Sequence, residues 1–186
     1  MYFQKAGKEN TQDTLRIAKA EAVKRGIGFV LVASTGGETG LQASRLFQKS
    51  GIQVIIVTHN SGFNEPGVQE FNEKAREEII SLGGIVYTGT HVLRGLGAAL
   101  RTRYNFSHEQ VVADTLRMFG QGIKVCVEIA AMAADAGLIP AGDVIAVGGS
   151  QRGADTAAVI SADSSNRFFN IKVREILAKP VDVISD

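Results

Sequence analysis

The residues best suited to chemistry form a short polar turn between two apolar segments. The apolar run Phe29–Ala33 is followed by the turn 34–39, STGGET, and then by a helical pattern. This order predicts a buried strand, a glycine turn and a helix whose first backbone N–H groups have no intrahelical acceptor. Such N–H groups, with the hydroxyls of Ser34, Thr35 and Thr39, suit the oxygens of a phosphate. The alternative is that Ser34 or Thr35 only caps the helix.

Three further polar segments follow predicted strands in the same way. They are residues 58–63, 88–91 and 148–153, and they are rich in Ser, Thr, Gly and Asn. In an open parallel sheet such loops lie along the carboxyl edge, where ligands bind. The sequence therefore predicts a phosphate-binding pocket at that edge. Its candidate residues are Ser34, Thr35, Gly36, Gly37, Glu38, Thr39, Thr58, Asn60, Thr88, His91, Gly149, Ser150, Arg152 and Thr156.

Four charged or titratable side chains are further candidates for contact with a ligand. His59 and His91 follow strands, so each is either a base or ligand contact or a solvated bystander. Glu128 lies in an apolar helical run and needs a partner or a raised pKa. It either faces a pocket or forms a structural ion pair with an arginine. Arg152 could contact a phosphate through two N–H groups.

The composition excludes several classes of function. Among 186 residues, 20 Lys and Arg balance 19 Asp and Glu, so no net charge favours nucleic acid. Three dispersed histidines and the single Cys126 predict neither a metal site nor a disulfide. No apolar run approaches the roughly 20 residues that span a bilayer, and the opening residues lack a signal-peptide pattern. We therefore expect a cytoplasmic protein without membrane contact.

Alternating strand and helix patterns predict the architecture. We expect an α/β fold, a three-layer open and mostly parallel sheet with helices on both faces, in one domain over residues 1–186. The last two strands are expected to form an antiparallel addition at the C-terminus. The predicted strands are Phe29–Ala33, Ile52–Val57, Ile85–Tyr87, Asp143–Val147, Thr156–Ala162 and Phe168–Ala178. The predicted helices start at Thr11 and then cover Gly40–Ser50, Val68–Leu82, Leu93–Arg101, Ser107–Phe119 and Lys124–Ala136.

Two segments resemble the C-terminal α/β domain of pyruvate kinases. The first is ASTGGETGLQASRLF with VIIVTHNSG, over residues 33–47 and 54–62; the second is GDVIAVGGSQRGADTAAVI, over residues 142–160. The chain also resembles the small stand-alone relatives of that domain, a largely uncharacterised family. The opening residues that carry this likeness are Tyr2, Phe3, Gly7, Glu9, Asn10 and Thr11.

The resemblance implies a ligand site and an assembly. In the full enzyme this domain is regulatory, binds a sugar bisphosphate and helps to form the tetramer. Some stand-alone relatives look like binders of flavin mononucleotide (FMN). By motif, Ser34, Thr35, Gly37 and Thr39 would hold a phosphate, and residues 149–156 would close over the ligand. The chain has no tryptophan and has Gly40 where the kinase domain has alanine, which disfavours a sugar bisphosphate.

The resulting expectation is binding of a phosphorylated small molecule, with FMN as the named cofactor, in a homo-oligomer. Phe63 and Tyr87 are candidates to contact an aromatic ring. Two alternatives stay open: an enzyme of unknown, flavin-dependent reaction with His91 or Glu128 as proton donor, and an oligomerisation or regulatory module without a ligand. The catalytic barrel of pyruvate kinase is lacking, so phosphoryl transfer to ADP is not expected. We further expect that Thr39→Val, or a bulky residue at position 37, weakens phosphate binding without unfolding the protein.

Overall fold

A seven-stranded sheet organises residues 1–182, which are the residues described by the computed structural model. The strands are β1 (Tyr2–Lys5), β2 (Phe29–Ala33), β3 (Gln53–Val57), β4 (Ile85–Tyr87), β5 (Gly142–Gly148), β6 (Thr156–Ala162) and β7 (Lys172–Asp182). The helices are α1 (Thr11–Arg25), α2 (Glu38–Phe47), α3 (Glu73–Ser81), α4 (Gly95–Tyr104), α5 (His108–Arg117) and α6 (Gln121–Asp135). Short 3-10 segments cover Lys8–Asn10 and Ser165–Asn170.

The strand order is β1-β7-β6-β5-β2-β3-β4, and the sheet is mixed. Strands β5, β2, β3 and β4 pair in parallel, while β6 is antiparallel to both β5 and β7. The antiparallel addition predicted for the C-terminus is confirmed. Strand β1 then pairs in parallel with β7, so within residues 1–182 six strands run in one direction and β6 opposes them.

Apolar side chains on both faces of the central strands make two hydrophobic layers. Val30 and Val32 pack with α1, α2 and α3, whereas Leu31, between them in the sequence, packs with α6. Strands covered by helices on both faces are expected to be apolar throughout, as Phe29–Ala33 is. The predicted three-layer arrangement is therefore confirmed. Among the described residues no helix has the length and apolar character required to cross a membrane.

Most predicted elements differ from the structure by a few residues at their ends, and two of them begin four or more residues later than predicted. Helix α3 begins at Glu73, not Val68, because the Asn72 side chain accepts a hydrogen bond from Ala75 N–H at 3.1 Å and so caps it there. The strand predicted from Phe168 begins at Lys172 instead. Residues 165–170 turn in a 3-10 segment, and the N–H of Ser165 donates to Asp135 Oδ1 at the end of α6, at 2.7 Å. A partner 30 residues away thus decides where β7 starts.

Candidate functional site

A cleft of about 710 Å³ lies at the carboxyl ends of the parallel strands β2, β3 and β5, and we call it the edge cleft. One wall is the 34–39 turn, the opposite wall is the glycine loop 149–153, and α6 forms the floor. Its lining is Ala33, Ser34, Thr35, Gly36, Glu38, Thr39, Val57, Thr58, His59, Phe63, Glu70, His91, Arg94, Gln110, Arg117, Gln121, Lys124, Val125, Glu128, Ile129, Gly149, Ser150, Gln151, Arg152 and Gly153.

The 34–39 turn combines a helix cap with unpaired amides. The hydroxyl of Ser34 accepts a hydrogen bond from Gly40 N–H at 3.2 Å, so Ser34 does cap α2. The amides of Glu38 and Thr39, which open the helix and line the cleft, have no intrahelical acceptor because of helix geometry. Capping and anion binding are therefore compatible at this turn, since Ser34 uses one amide and the earlier ones stay available.

Gly37 shapes the turn without lining the cleft. Its φ of +105° is in the region that favours glycine, and a Cβ there would lie 2.7 Å from Ala75 Cβ on α3. A larger residue at position 37 would therefore push α2 from α3. This contact argues against the expectation that such a substitution leaves the fold undisturbed, which stays a prediction to be measured.

The glycine loop 149–153 is held in place by hydrogen bonds to the buried carboxylate of Asp155. Asp155 Oδ2 accepts hydrogen bonds from Gly7 N–H and Ser150 N–H, both at 3.2 Å, and Oδ1 accepts from the Thr156 hydroxyl at 2.8 Å. Asp155 is 1% exposed. It thereby connects the segment after β1 to the wall of the cleft, and Ser150 and Arg152 are presented on that wall.

Basic side chains outnumber carboxylates around the edge cleft. The basic ones are Arg94, Arg117, Lys124 and Arg152, and the acidic ones are Glu38, Glu70 and Glu128. The described residues contain no group of three His, Cys, Asp or Glu side chains placed to hold a metal ion. The electrostatics thus favour an anionic ligand that is bound by side chains and backbone amides.

A buried network lies on the floor of the cleft. Glu128, 2% exposed, accepts at Oε1 from Leu93 N–H at 2.8 Å and contacts Lys124 Nζ at Oε2 at 2.5 Å. His91 Nδ1 lies 3.4 Å from the same Oε2. Burial alone would raise the pKa of Glu128, but the contacts with His91 and Lys124 outweigh it and lower that pKa to about 2. Of the alternatives that the sequence left open, Glu128 has a charged partner and faces a pocket; that partner is Lys124 and not an arginine, and its pKa is not raised.

A cluster of rings joins the 34–39 turn to the segment after β3. His59 stacks on Phe63 with centroids 3.9 Å apart, and the guanidinium carbon of Arg94 lies 4.1 Å from the centroid of Phe63. His59 Nε2 lies 3.4 Å from Thr35 Oγ1. Burial, followed by the charge of His91, lowers the pKa of His59 below its ordinary value. We therefore expect a neutral His59 at neutral pH, so this wall offers an apolar, aromatic surface.

Ten of the fourteen predicted site residues line the edge cleft. Gly37 packs against α3, Thr88 bonds its hydroxyl to that of Thr58, and Thr156 is buried behind the glycine loop. The Asn60 side chain donates to a neighbouring backbone carbonyl. The ten residues that line the cleft are Ser34, Thr35, Gly36, Glu38, Thr39, Thr58, His91, Gly149, Ser150 and Arg152.

The residues that sequence reasoning missed come from the helices that cover the cleft. The spacing of Lys124 and Glu128, four apart in an apolar helix, was a usable signal for a buried ion pair on one face. Arg94 and Arg117 gave no such signal, because their direction depends on how α4 and α5 pack.

Comparisons with known proteins gave a family match and similar solved structures. Residues 12–160, more than three quarters of the chain, match a family model described as "Pyruvate kinase, alpha/beta domain". The chain is similar to a solved pyruvate kinase from Cryptosporidium parvum, with 14% identity and a TM-score of 0.44. That match covers 82% of this chain and 23% of the other, so this chain spans less than a quarter of that protein. It is also similar to an O-ureido-L-serine synthase, with 16% identity, a TM-score of 0.31 and coverage of 57% and 35%.

Proposed function

The chain belongs to the pyruvate kinase alpha/beta domain family, and from this premise we propose that it binds a phosphorylated small molecule in the edge cleft. The observation that carries the proposal is the convergence of the α2 N-terminus, the glycine loop and a surplus of basic side chains on one space. Helix N-termini with unpaired amides bind phosphate oxygens through hydrogen bonds and through the helix dipole. The phosphate would lie on the amides of Glu38 and Thr39, with Arg152 approaching from the opposite wall.

We propose FMN as the ligand. The support is the resemblance to stand-alone relatives of the domain, together with the size and lining of the cleft. About 710 Å³ is within the range of roughly 300–1,000 Å³ that is usual for small-molecule pockets. His59 stacks on one face of Phe63 and Arg94 covers the other, so the edge of Phe63 would be the part that contacts a planar heterocycle. Of the two aromatic residues predicted to contact it, Phe63 lines the cleft, whereas Tyr87 does not.

The enzymatic alternative is not favoured by the geometry of its proton donors. Both ring nitrogens of His91 face protein oxygens, Thr58 O at 3.2 Å and Glu128 Oε2 at 3.4 Å. Both carboxylate oxygens of Glu128 are likewise engaged by protein groups. Neither side chain is therefore placed to give a proton to a ligand, and we propose binding rather than catalysis.

The test is the spectrum and ligand content of the protein purified without added cofactor. We expect flavin absorption bands, and after removal of the flavin we expect FMN to restore close to one equivalent per chain. A ligand at 100 times its dissociation constant should stabilise the fold by about 2.7 kcal/mol, which thermal unfolding detects. A colourless protein that neither FMN nor other phosphorylated metabolites stabilise would favour the module without a ligand and would refute the proposal.

A further inference from the structure

We propose that the edge cleft has a second anion-binding pole, formed by the ammonium group of Lys124, for an electron-rich oxygen at the far end of the ligand. The inference rests on the proposed function and deepens it. It narrows the ligand to phosphate esters whose other end carries a negatively charged or carbonyl oxygen. In FMN that chemistry belongs to the pyrimidinedione edge of the ring system.

The first step concerns the charge of Lys124. Its side chain is 7% exposed, and its ammonium group contacts Glu128 Oε2 at 2.5 Å. An ammonium group has three N–H donors, so this contact leaves donors for a ligand. Glu128 has no corresponding reserve, because Leu93 N–H occupies Oε1 while Lys124 and His91 share Oε2.

The second step concerns the position of His91. Nε2 faces the carbonyl oxygen of Thr58 at 3.2 Å, and Nδ1 faces the Glu128 carboxylate at 3.4 Å. Both ring nitrogens thus face protein oxygens, and the ring of His59 lies 5.6 Å away, edge-on. Lys124 is therefore the group of this network that keeps hydrogen-bond donors for a ligand.

Buried N–H donors that lack an acceptor are unfavourable until a ligand pairs with them. Lys124 lines the same cleft as the 34–39 turn, so a ligand in that cleft can supply the missing acceptor. Helix α6, which forms the floor of the cleft, packs closely on the sheet at Gly122. A Cβ on Gly122 would lie 2.0 Å from Thr156 Oγ1, so only glycine permits this approach.

The experiment compares two ligands that differ in the phosphate alone. Dissociation constants for FMN and for riboflavin are measured by quenching of flavin fluorescence in the wild type, Lys124→Met and Thr39→Val. We expect Lys124→Met to weaken both ligands by the same factor, about tenfold or more. Thr39→Val should weaken FMN and leave riboflavin unchanged, because only FMN has the phosphate. Lys74→Met, an exposed lysine on α3, is the matched control and should change neither constant.

A second variant guards against loss of folding. If circular dichroism shows that Lys124→Met is unfolded, the double variant Lys124→Met with Glu128→Gln removes both charges of the pair and is measured instead. Unchanged affinity for both flavins would overturn the second pole and leave the proposed function standing. An effect of Lys124→Met on FMN but not on riboflavin would reassign Lys124 to the phosphate. If the wild type binds neither flavin, both the second pole and the assignment of FMN as the ligand are refuted. Thermal stabilisation by another phosphate ester would in that case still support the proposed function.

Discussion

At the scale of single residues, the neighbouring Gly36 and Gly37 of the 34–39 turn have different structural roles. Gly36 lines the cleft with open space around its Cα, whereas Gly37 has a φ of +105° and abuts Ala75. The sequence shows two adjacent glycines and does not distinguish them. Their environments do so, because one faces the cleft and the other faces α3.

This difference predicts unequal effects on stability. Gly37→Ala should lower the free energy of unfolding by about 1–3 kcal/mol, through backbone strain and the clash with α3. Gly36→Ala, the matched control, should change it little, since its added methyl group meets nothing within 4 Å. Urea denaturation at neutral pH measures both. Equal free energies for the two variants would contradict the assigned packing of Gly37.

The lowered pKa of Glu128 predicts how the free energy of unfolding changes with pH. Its folded pKa of about 2 lies below the unfolded value of roughly 4.3, so the carboxylate stabilises the fold above the unfolded value. That stability is lost as the pH falls through about 2. Glu128→Gln should therefore be less stable than the wild type at pH 7, by an amount on the order of 3 kcal/mol, and the gap should narrow below about pH 4.5.

The measurement is urea unfolding of both proteins from pH 7 down to pH 3. Glu73→Gln removes an exposed carboxylate on α3 and is the control. Its difference from the wild type should stay small and flat over the same range. A gap for Glu128→Gln that does not depend on pH would show that Glu128 is not ionised in a paired state.

At the scale of elements, the connection between β1 and the glycine loop is carried by Asp155. Its Oδ2 holds the amides of Gly7 and Ser150 together, although these residues are far apart in the chain. Strand β1 and most of the segment after it precede residue 12, where the family match begins. Elements outside the matched range thus help to position a wall of the cleft.

Asp155→Asn should loosen the loop while leaving the sheet intact. The neutral amide has one uncharged acceptor oxygen in place of two charged ones, so the hydrogen bonds from the amides of Gly7 and Ser150 become weaker. We expect faster hydrogen exchange at these two amides and weaker FMN binding by roughly tenfold. Asp143→Asn, an exposed partner of Arg174, is the control. Unchanged hydrogen exchange at both amides would contradict the role of Asp155 in holding the glycine loop.

At the scale of the whole molecule, apolar side chains are exposed on the face formed by α4, α5 and the turn after α5. Leu96 is 71% exposed, Met118 82%, and Tyr104, Phe106, Val111 and Phe119 all exceed half. Clustered exposed apolar groups commonly mark interfaces between proteins. This surface, together with the resemblance to a domain that takes part in a tetramer, supports the expectation of a homo-oligomer, and we propose that the chain forms one.

Light scattering after size-exclusion chromatography tests that proposal. We expect a mass that is a multiple of 19.8 kDa. Placing charge on the surface with Leu96→Glu and Met118→Glu should shift the mass towards one chain. Glu substitution of exposed Val23 on α1, outside this surface, is the control and should leave the mass unchanged. A monomeric wild type at high protein concentration would contradict the expectation.

Local patterns in the sequence determined the α/β class, the position of the 34–39 turn and the bounds of three strands, Phe29–Ala33, Ile85–Tyr87 and Thr156–Ala162. Apolar runs and glycine turns are features of neighbouring residues, so they can be interpreted without the fold. Strand β1 escaped prediction because its four residues pair with β7, near the other end of the described chain.

The tertiary structure alone decided which side chains share the edge cleft. His91, Lys124 and Glu128 meet because a loop after β4 and a helix before β5 pack against the same part of the sheet. Contacts with His91 and Lys124 also lower the pKa of Glu128, whereas its apolar neighbours in sequence had left either a partner or a raised pKa open. Charge interactions depend on distance in space, and that distance exists only once the strands have found their order in the sheet.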